Sequence, residues 1–423
     1  MQLLCAALAL RLPRPLGREL IAGAITPAVL GGVVAAGIAG ASEPEGRVLR
    51  LVPRRLQEYM RESRIAWIMY SQFEYVAAGL AVFALAPRGQ ARRLLRVQRA
   101  GPDLKDVPCG PLGSLADVYL PDGASAAASF EEMLIFVPGG AWSHGYKSFY
   151  TLTSRRLATE LGCAVATVGY GLYPVADGVA QVAQVEEALA WAEAGAPLPP
   201  DGEPRRRLLN AGARLSVVGH SAGGQLSAAA LLGRSGGEAT GAGVASIGSL
   251  ALLSAPLELR RHVLHEASRG VATVSALSAA FAGDDGATYS VGDEAALVTA
   301  PGSDRADGSG RTGPSAPPPR YFDDTQPMAR LSPECAVAAG GAAAVKKLPP
   351  LVALFHGVED PVVPVSSTQR FEAALKARAD SSWPSVVSEY REGCSHLDYV
   401  LELITVSDRT PPLVDFLRTI AFK

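Results

Sequence analysis

Leu215-Ser216-Val217-Val218-Gly219-His220-Ser221-Ala222-Gly223-Gly224-Gln225-Leu226-Ser227-Ala228-Ala229-Ala230-Leu231-Leu232 decides the reading of this chain. An apolar run of strand character leads into G-x-S-x-G, and an Ala- and Leu-rich run of helix character follows. Glycines flank Ser221 because a strand-to-helix turn this tight leaves no room for side chains, and the strained turn lifts the hydroxyl clear of the sheet. The dipole of the following helix points at that hydroxyl. The local context is strand, elbow, helix, with Ser221 as the candidate nucleophile. The pentapeptide alone is only a hypothesis in a chain with 44 glycines, so its partners must decide.

A serine hydroxyl needs a base to take its proton and an acid to orient that base. After such an elbow, acid and base follow the serine in chain order. The chain has 6 histidines. His144 precedes the serine and His220 lies inside the elbow, while His262 and His265 fall in an Arg-rich helical stretch. His356 closes the strand-like run Leu351-Val352-Ala353-Leu354-Phe355 and opens a loop that carries Asp360, the acid candidate. His396 follows the strand-like Val386-Val387-Ser388-Glu389-Tyr390 and is the base candidate. Either residue alone reads as a solvated loop side chain, but three such groups in order at strand ends form a triad.

Upstream, Met133-Leu134-Ile135-Phe136-Val137 runs into Pro138-Gly139-Gly140-Ala141-Trp142, about 80 residues before the elbow. A Gly-Gly pair after a strand can be an ordinary turn. At this place it supplies backbone N–H groups for the oxyanion of a tetrahedral intermediate, with Gly139, Gly140, Ala141 and Ala222 as the candidates. Trp142 and Tyr146 beside this turn, and Gln225 at the start of the helix after the elbow, are expected to line the substrate pocket.

With these residues in view, the chain resembles the isoprenylcysteine alpha-carbonyl methylesterases. The likeness is carried by Asp117-Val118-Tyr119-Leu120-Pro121, by Phe136 through Lys147, and by Val168-Gly169-Tyr170 with Tyr173-Pro174. It continues through the Ser221 elbow, His262-Val263-Leu264-His265 with Arg269-Gly270, Ser332-Pro333-Glu334 and Leu354-Phe355-His356-Gly357 with Asp360, and ends at His396. The resemblance implies an α/β-hydrolase fold and a membrane-associated enzyme of the endoplasmic reticulum or Golgi. It implies an activity that demethylates carboxyl-methylated prenylcysteine without metal or cofactor. His220 stands where that family usually has Gln, and Gly224-Gln225 where it has Ala-His. The latter pair is more similar to general carboxylesterases of the hormone-sensitive-lipase type. A general carboxylesterase, an arylformamidase and a catalytically inactive binding protein on the same fold remain the alternatives.

Strand-like runs at 116–120, 133–137, 164–169, 215–219, 247–253, 350–356 and 386–390 alternate with helical ones near 153–161, 181–193, 221–232, 258–282 and 366–377. A last helix follows Pro411-Pro412. Alternation of this kind predicts a mostly parallel sheet covered by helices on both faces. Residues 194–212 read as a loop, and 283–325, low in apolar content and rich in Gly and Pro, as a disordered insertion. Of the 423 residues, 48% are hydrophobic and 19% charged, enough for a large core. A formal charge of −2 gives no electrostatic reason to expect nucleic acid. The 5 cysteines show no C-x-x-C spacing, which argues against a zinc cage or a disulfide framework.

The first hundred residues differ from the rest, and the expected division is an N-terminal region 1–99 and a catalytic domain 100–423. Leu20–Ala41 is uncharged and, at 1.5 Å per residue, about 33 Å long as a helix, so it is a candidate membrane span. Ile65–Pro87 is apolar and aromatic but interrupted by Gln72 and Glu74, and reads as a second span or an interfacial helix. Arginines precede the first stretch (Arg11, Arg14, Arg18), separate the two (Arg47, Arg50, Arg54, Arg55, Arg61, Arg64) and follow the second (Arg88, Arg92, Arg93, Arg96, Arg99). The orientation is therefore ambiguous, with the last group arguing for a cytoplasmic catalytic part. The acid-free, basic first 18 residues also fit an organellar or secretory leader.

Overall fold

A computed structural model describes residues 88–125, 127–199, 206–234, 244–268, 272, 275–281, 326–378, 383–404 and 410–420. The expected membrane segments, the insertion 283–325 and Arg269-Gly270 lie outside the described residues. Among the described residues no helix is long and apolar enough to cross a membrane. The chain divides into two units, Met1–Leu85 and Ala86–Lys423, so the basic helix α1 (Arg88–Ala100) belongs with the catalytic part.

Eight strands form one sheet: β1 (Leu104–Pro108), β2 (Leu115–Tyr119), β3 (Phe130–Val137), β4 (Ala164–Gly169), β5 (Leu209–His220), β6 (Ala245–Leu253), β7 (Leu351–Gly357) and β8 (Ser385–Arg391). Their order is β1-β2-β4-β3-β5-β6-β7-β8. β2 runs antiparallel to both β1 and β4, and every pairing from β4 through β3 to β8 is parallel. The central strands are buried on both faces, as parallel strands under helices must be; Met133 through Val137 are all buried.

The helices are α2 (Thr151–Leu161), α3 (Gly178–Glu193), α4 (Ala222–Gly233), α5 (Leu259–Ser268), α6 (Leu277–Ala280), α7 (Pro327–Arg330), α8 (Pro333–Val345), α9 (Val365–Arg378), α10 (Asp398–Ile404) and α11 (Pro412–Ile420). On one face α2, α10 and α11 cover a core of Leu134, Phe136, Val218, Leu253 and Phe355, with Leu157, Tyr399 and Leu417 descending onto it. On the other face α3, α4, α8 and α9 pack in succession. Asp177 caps α3, its carboxylate accepting the Ala180 N–H at 2.9 Å.

The predicted strands and most predicted helices are present, and the departures are local. β1, missed in the sequence, is an edge strand with charged Lys105 and Asp106, and only Val107 is fully buried, so it has no alternating pattern. β5 begins at Leu209, inside the expected 194–212 loop, because Asn210, Ala211 and Gly212 extend the strand while staying exposed. The single helix expected over 258–282 is instead two described helices, α5 and α6. The Ala- and Gly-rich α8 was missed for want of apolar periodicity, although Pro333 and Glu334 mark its first turn.

Phe355 anchors β7 between Tyr399 (5.1 Å between ring centroids) and Phe416 (5.3 Å). Phe355→Ala is expected to lower the unfolding free energy by about 3–5 kcal/mol, measured by urea denaturation. A loss below about 1 kcal/mol would mean that this aromatic junction is not central to the core.

Candidate active site

Strand register brings the site together. Val137 of β3 lies beside Gly219 of β5, His220 beside Leu253 of β6, Leu253 beside Phe355 of β7, and Gly357 beside Arg391 of β8. The segments leaving these strands therefore emerge along one carboxyl edge: Pro138–Trp142, the Ser221 turn, Val358–Asp360 and Glu392–His396. In open α/β sheets ligands bind along this edge.

Ser221 has φ 52° and ψ −125°, a conformation that L-residues avoid and that costs on the order of 1–3 kcal/mol. It is held by its N–H donating to Leu253 O (2.8 Å) and by Gly224 N–H donating to Ser221 O (2.9 Å). The glycines are required by close approach. A Cβ on Gly223 would stand 2.1 Å from Val137 O, and one on Gly139 would stand 2.8 Å from the Ser221 Cβ. The glycine turn after β3 and the elbow after β5 thus touch backbone to backbone.

The structure brings Ser221, His396 and Asp360 into one line. The Ser221 hydroxyl lies 3.0 Å from His396 Nε2, and His396 Nδ1 lies 2.7 Å from Asp360 Oδ2. Asp360 Oδ1 accepts the N–H groups of Val362 (2.8 Å) and Val363 (2.9 Å). Burial pushes the Asp360 carboxyl up, but the neighbouring His396, the hydrogen bonds of His356 and His396 and the Val363 N–H together hold it far below the usual carboxylate range. An ionised Asp360 fixes the His396 tautomer with its proton on Nδ1, leaving Nε2 free to accept from Ser221.

Other residues hold these three. His356 is buried, 2.6 Å from Thr368 Oγ1 through Nδ1, 2.9 Å from Val363 O and 3.4 Å from Asp360 Oδ2 through Nε2. Glu359 zips the acid loop to the base loop, its carboxylate accepting the Cys394 N–H (3.1 Å) while its N–H donates to Cys394 O (3.2 Å). Two tyrosines clamp the glycine turn: Tyr170 donates to Pro138 O (2.8 Å), and Tyr150 Oη accepts the Gly139 N–H (3.2 Å). Tyr170 stood in the sequence only as part of the Val168-Gly169-Tyr170 motif, and Tyr150 left no signal; the bonds of both to the glycine turn arise only across the fold.

The four oxyanion candidates divide. The Gly139 N–H is engaged by Tyr150, so Gly139 is not a donor in waiting. Among the described residues the N–H groups of Gly140, Ala141 and Ala222 have no hydrogen-bond partner. Gly140 (φ 140°), Ala141 (φ 46°) and Trp142 (φ 60°) form a turn of positive φ, closed by His144 N–H donating to Gly140 O at 2.9 Å.

The three residues expected to line the pocket also divide. Trp142 is only 1% exposed, and its Nε1–H donates to Gln225 Oε1 at 2.9 Å, while Gln225 Nε2 donates to Leu331 O at 2.8 Å. Both ends of the Gln225 amide are thereby engaged, and the pair ties the glycine turn to α4 and α7. Trp142 packs edge-on against Phe281 (5.4 Å) and His262 (6.3 Å). Tyr146 lies at the surface, 59% exposed and edge-on to Phe149. Among the described residues no cluster of His, Cys, Asp or Glu is arranged to hold a metal ion.

Residues 134–282, about a third of the chain, match a family model described as alpha/beta hydrolase fold. The eight-stranded, mostly parallel sheet flanked by helices is that fold. Solved structures similar to the chain include a fungal esterase from Rhizomucor miehei (21% identity, 79% of this chain and 88% of that one, TM-score 0.48). A hyperthermophilic esterase from Pyrobaculum calidifontis is also similar (16% identity, 80% and 92%, TM-score 0.46). So is carboxyl esterase 2 from Tuber melanosporum (15% identity, 75% and 86%, TM-score 0.45). No curated protein matches the chain.

Burial lowers His144 to about 4 and His220 to about 3, the latter aided by the neighbouring His396. Both stay neutral in the folded chain at pH values where an unfolded histidine, near 6.5, takes a proton. Their stabilisation is complete above about pH 6.5 and declines as pH falls toward the folded values, by about 1 kcal/mol per pH unit for each. Urea midpoints are expected to be level from pH 8 to 7 and to fall between pH 6 and 5, with a shallower slope in His144→Asn. A flat profile over pH 7 to 5 would contradict the neutral, buried state of these rings.

Proposed function

We propose that the protein is a serine carboxylic ester hydrolase acting through an acyl-enzyme, with the methyl ester of a prenylated cysteine as its substrate. One observation carries the hydrolase reading: Ser221, His396 and Asp360 form a continuous hydrogen-bonded line at the carboxyl edge of the sheet, 3.0 Å and 2.7 Å apart.

In the reaction, Ser221 Oγ bonds to the ester carbonyl carbon as its proton passes to His396 Nε2. Asp360 stabilises the imidazolium without taking its proton. The carbonyl oxygen, now negative, meets the N–H groups of Gly140, Ala141 and Ala222, each such donor worth roughly a hundredfold or more in rate. The tetrahedral species collapses as the carbon–alkoxide bond breaks and His396 protonates the leaving alcohol. Water, deprotonated by His396, then attacks the acyl carbon and frees the acid and the serine. His356 and Glu359 position Asp360 and the base loop.

The prenylcysteine substrate is supported by the sequence runs from Phe136 through Lys147 and across His262 to His265. Leu20–Ala41 supports a membrane-held enzyme, since a prenyl chain worth about 0.8 kcal/mol per buried CH₂ partitions into a bilayer. This reading places the enzyme on the endoplasmic reticulum or Golgi. Gly224-Gln225 after the elbow favours a second reading, a general carboxylesterase or arylformamidase without a lipid substrate.

Ser221→Ala is expected to abolish fluorophosphonate labelling and ester turnover while leaving the fold intact. His396→Ala should reduce kcat by several orders of magnitude and His356→Ala much less, with a larger loss of stability; the reverse order would reassign the base. Comparing a methylated prenylcysteine with short p-nitrophenyl esters and an arylformamide separates the two substrate readings. Preference for the small esters would overturn the prenylcysteine assignment.

The full chain is expected to sediment with membranes and to resist carbonate extraction. Recovery of the intact chain in the supernatant would remove both the anchor and the lipid-substrate argument.

A further inference from the structure

The elbow histidine is not a member of the triad, yet it is fully buried beside His396. His220 Nδ1 lies 3.1 Å from Tyr150 Oη, and its Nε2 lies 3.3 Å from the backbone carbonyl of His396. Tyr150 Oη in turn accepts the Gly139 N–H at 3.2 Å. The polarity of this chain of bonds is determined at both ends. Gly139 N–H can only donate, so Tyr150 Oη is the acceptor there and the hydroxyl is the donor toward His220 Nδ1. The His396 carbonyl can only accept, so the imidazole proton sits on Nε2. A neutral ring with one acceptor and one donor nitrogen satisfies every member.

The rings are packed as well as bonded. His220 lies 5.1 Å from the His396 ring and 5.8 Å from Tyr399, and Tyr150 lies 5.2 Å from Phe136. Burial and the His396 beside it keep His220 uncharged, down to a pH of about 3. A charged ring there would oppose the imidazolium that His396 becomes during turnover.

We propose that Tyr150 and His220 are positioning residues, forming one hydrogen-bonded strut from the oxyanion turn at Gly139 through the elbow to the His396 backbone. The strut would set the distances among the nucleophile, the base and the glycine turn, which come from three separate segments of the chain. It rests on the triad reading above, because it has a catalytic effect only if Ser221, His396 and the glycine turn are the reacting groups. Near-attack geometry is sensitive to displacements of about 1 Å, which can cost on the order of a hundredfold in rate.

Two amides separate the hands of the ring. Gln at 220 places a donor near the position of the imidazole Nε2, and Asn places an acceptor near that of Nδ1. With a small p-nitrophenyl ester and the full chain, His220→Gln, which keeps the donor to His396 O and loses the acceptor for Tyr150, should lower kcat about tenfold with KM unchanged. His220→Asn, which loses the bond to His396 O, should lower kcat about 10- to 100-fold with KM unchanged. Tyr150→Phe, which removes a single oxygen, should lower kcat about tenfold, again at constant KM. The double variant Tyr150→Phe with His220→Asn should lose less than the product of the two single losses, because both break one strut. A wild-type kcat in either His220 variant would overturn the proposal, as would a multiplicative double variant. If His220→Asn fails to fold, Tyr150→Phe decides alone: an unchanged kcat, or a loss expressed only in KM, would refute the strut. Failure of the triad reading is told apart by Ser221→Ala, which would then keep its fluorophosphonate labelling.

Discussion

The site depends on a backbone contact between two turns that are far apart in sequence. The helix after the elbow begins so close to the end of β3 that a single methyl on Gly223 would overlap Val137 O. This contact requires β3 and β5 to be neighbours in parallel register, with Val137 opposite Gly219. It also requires the chain to reverse at Ser221 with φ 52°. The strain at that residue is offset by the rigid elements on either side, and it projects the hydroxyl toward His396.

The base and acid arrive by the same logic from the other side of the sheet. β7 and β8 end in register at Gly357 and Arg391, and the loops that leave them are joined through Glu359 and Cys394. Neither loop has regular secondary structure at the reacting residue. Their geometry is held by hydrogen bonds to backbone atoms, and a buried polar group that finds its partners confers rigidity. His356 illustrates the economy of the arrangement: one ring bonds Thr368 Oγ1 through Nδ1, donates to Val363 O through Nε2 and abuts Asp360.

The glycine turn after β3 is arranged differently from the sequence expectation. One of its N–H groups faces inward to Tyr150, and among the described residues the Gly140 and Ala141 N–H groups have no hydrogen-bond partner, which is the arrangement the proposed oxyanion role requires. Trp142 and Gln225 likewise face inward and tie this turn to α4 and α7. Their place in sequence next to the Gly-Gly pair and the elbow is also their place in the fold. Their hydrogen bonds to each other and to Leu331, which only folding can bring about, engage the groups that substrate would need.

By itself the sequence determined the alternation of strand and helix, the elbow at Ser221, and the order in which Asp360 and His396 follow. These are local properties: glycine spacing where the backbone must turn sharply, apolar runs where strands are buried on both faces, and polar residues just past strand ends. The tertiary structure decided which groups touch. The bonds of Tyr170 to Pro138 O and of Glu359 to the Cys394 N–H could not be found from pattern because those partners are backbone atoms, which carry no residue identity. β1 could not be found because an edge strand buries too little to leave an alternating pattern. Chain order in the sequence set His356 and His220 aside as the base, and their actual bonds came only from strand register, since register alone sets which ring meets which carbonyl.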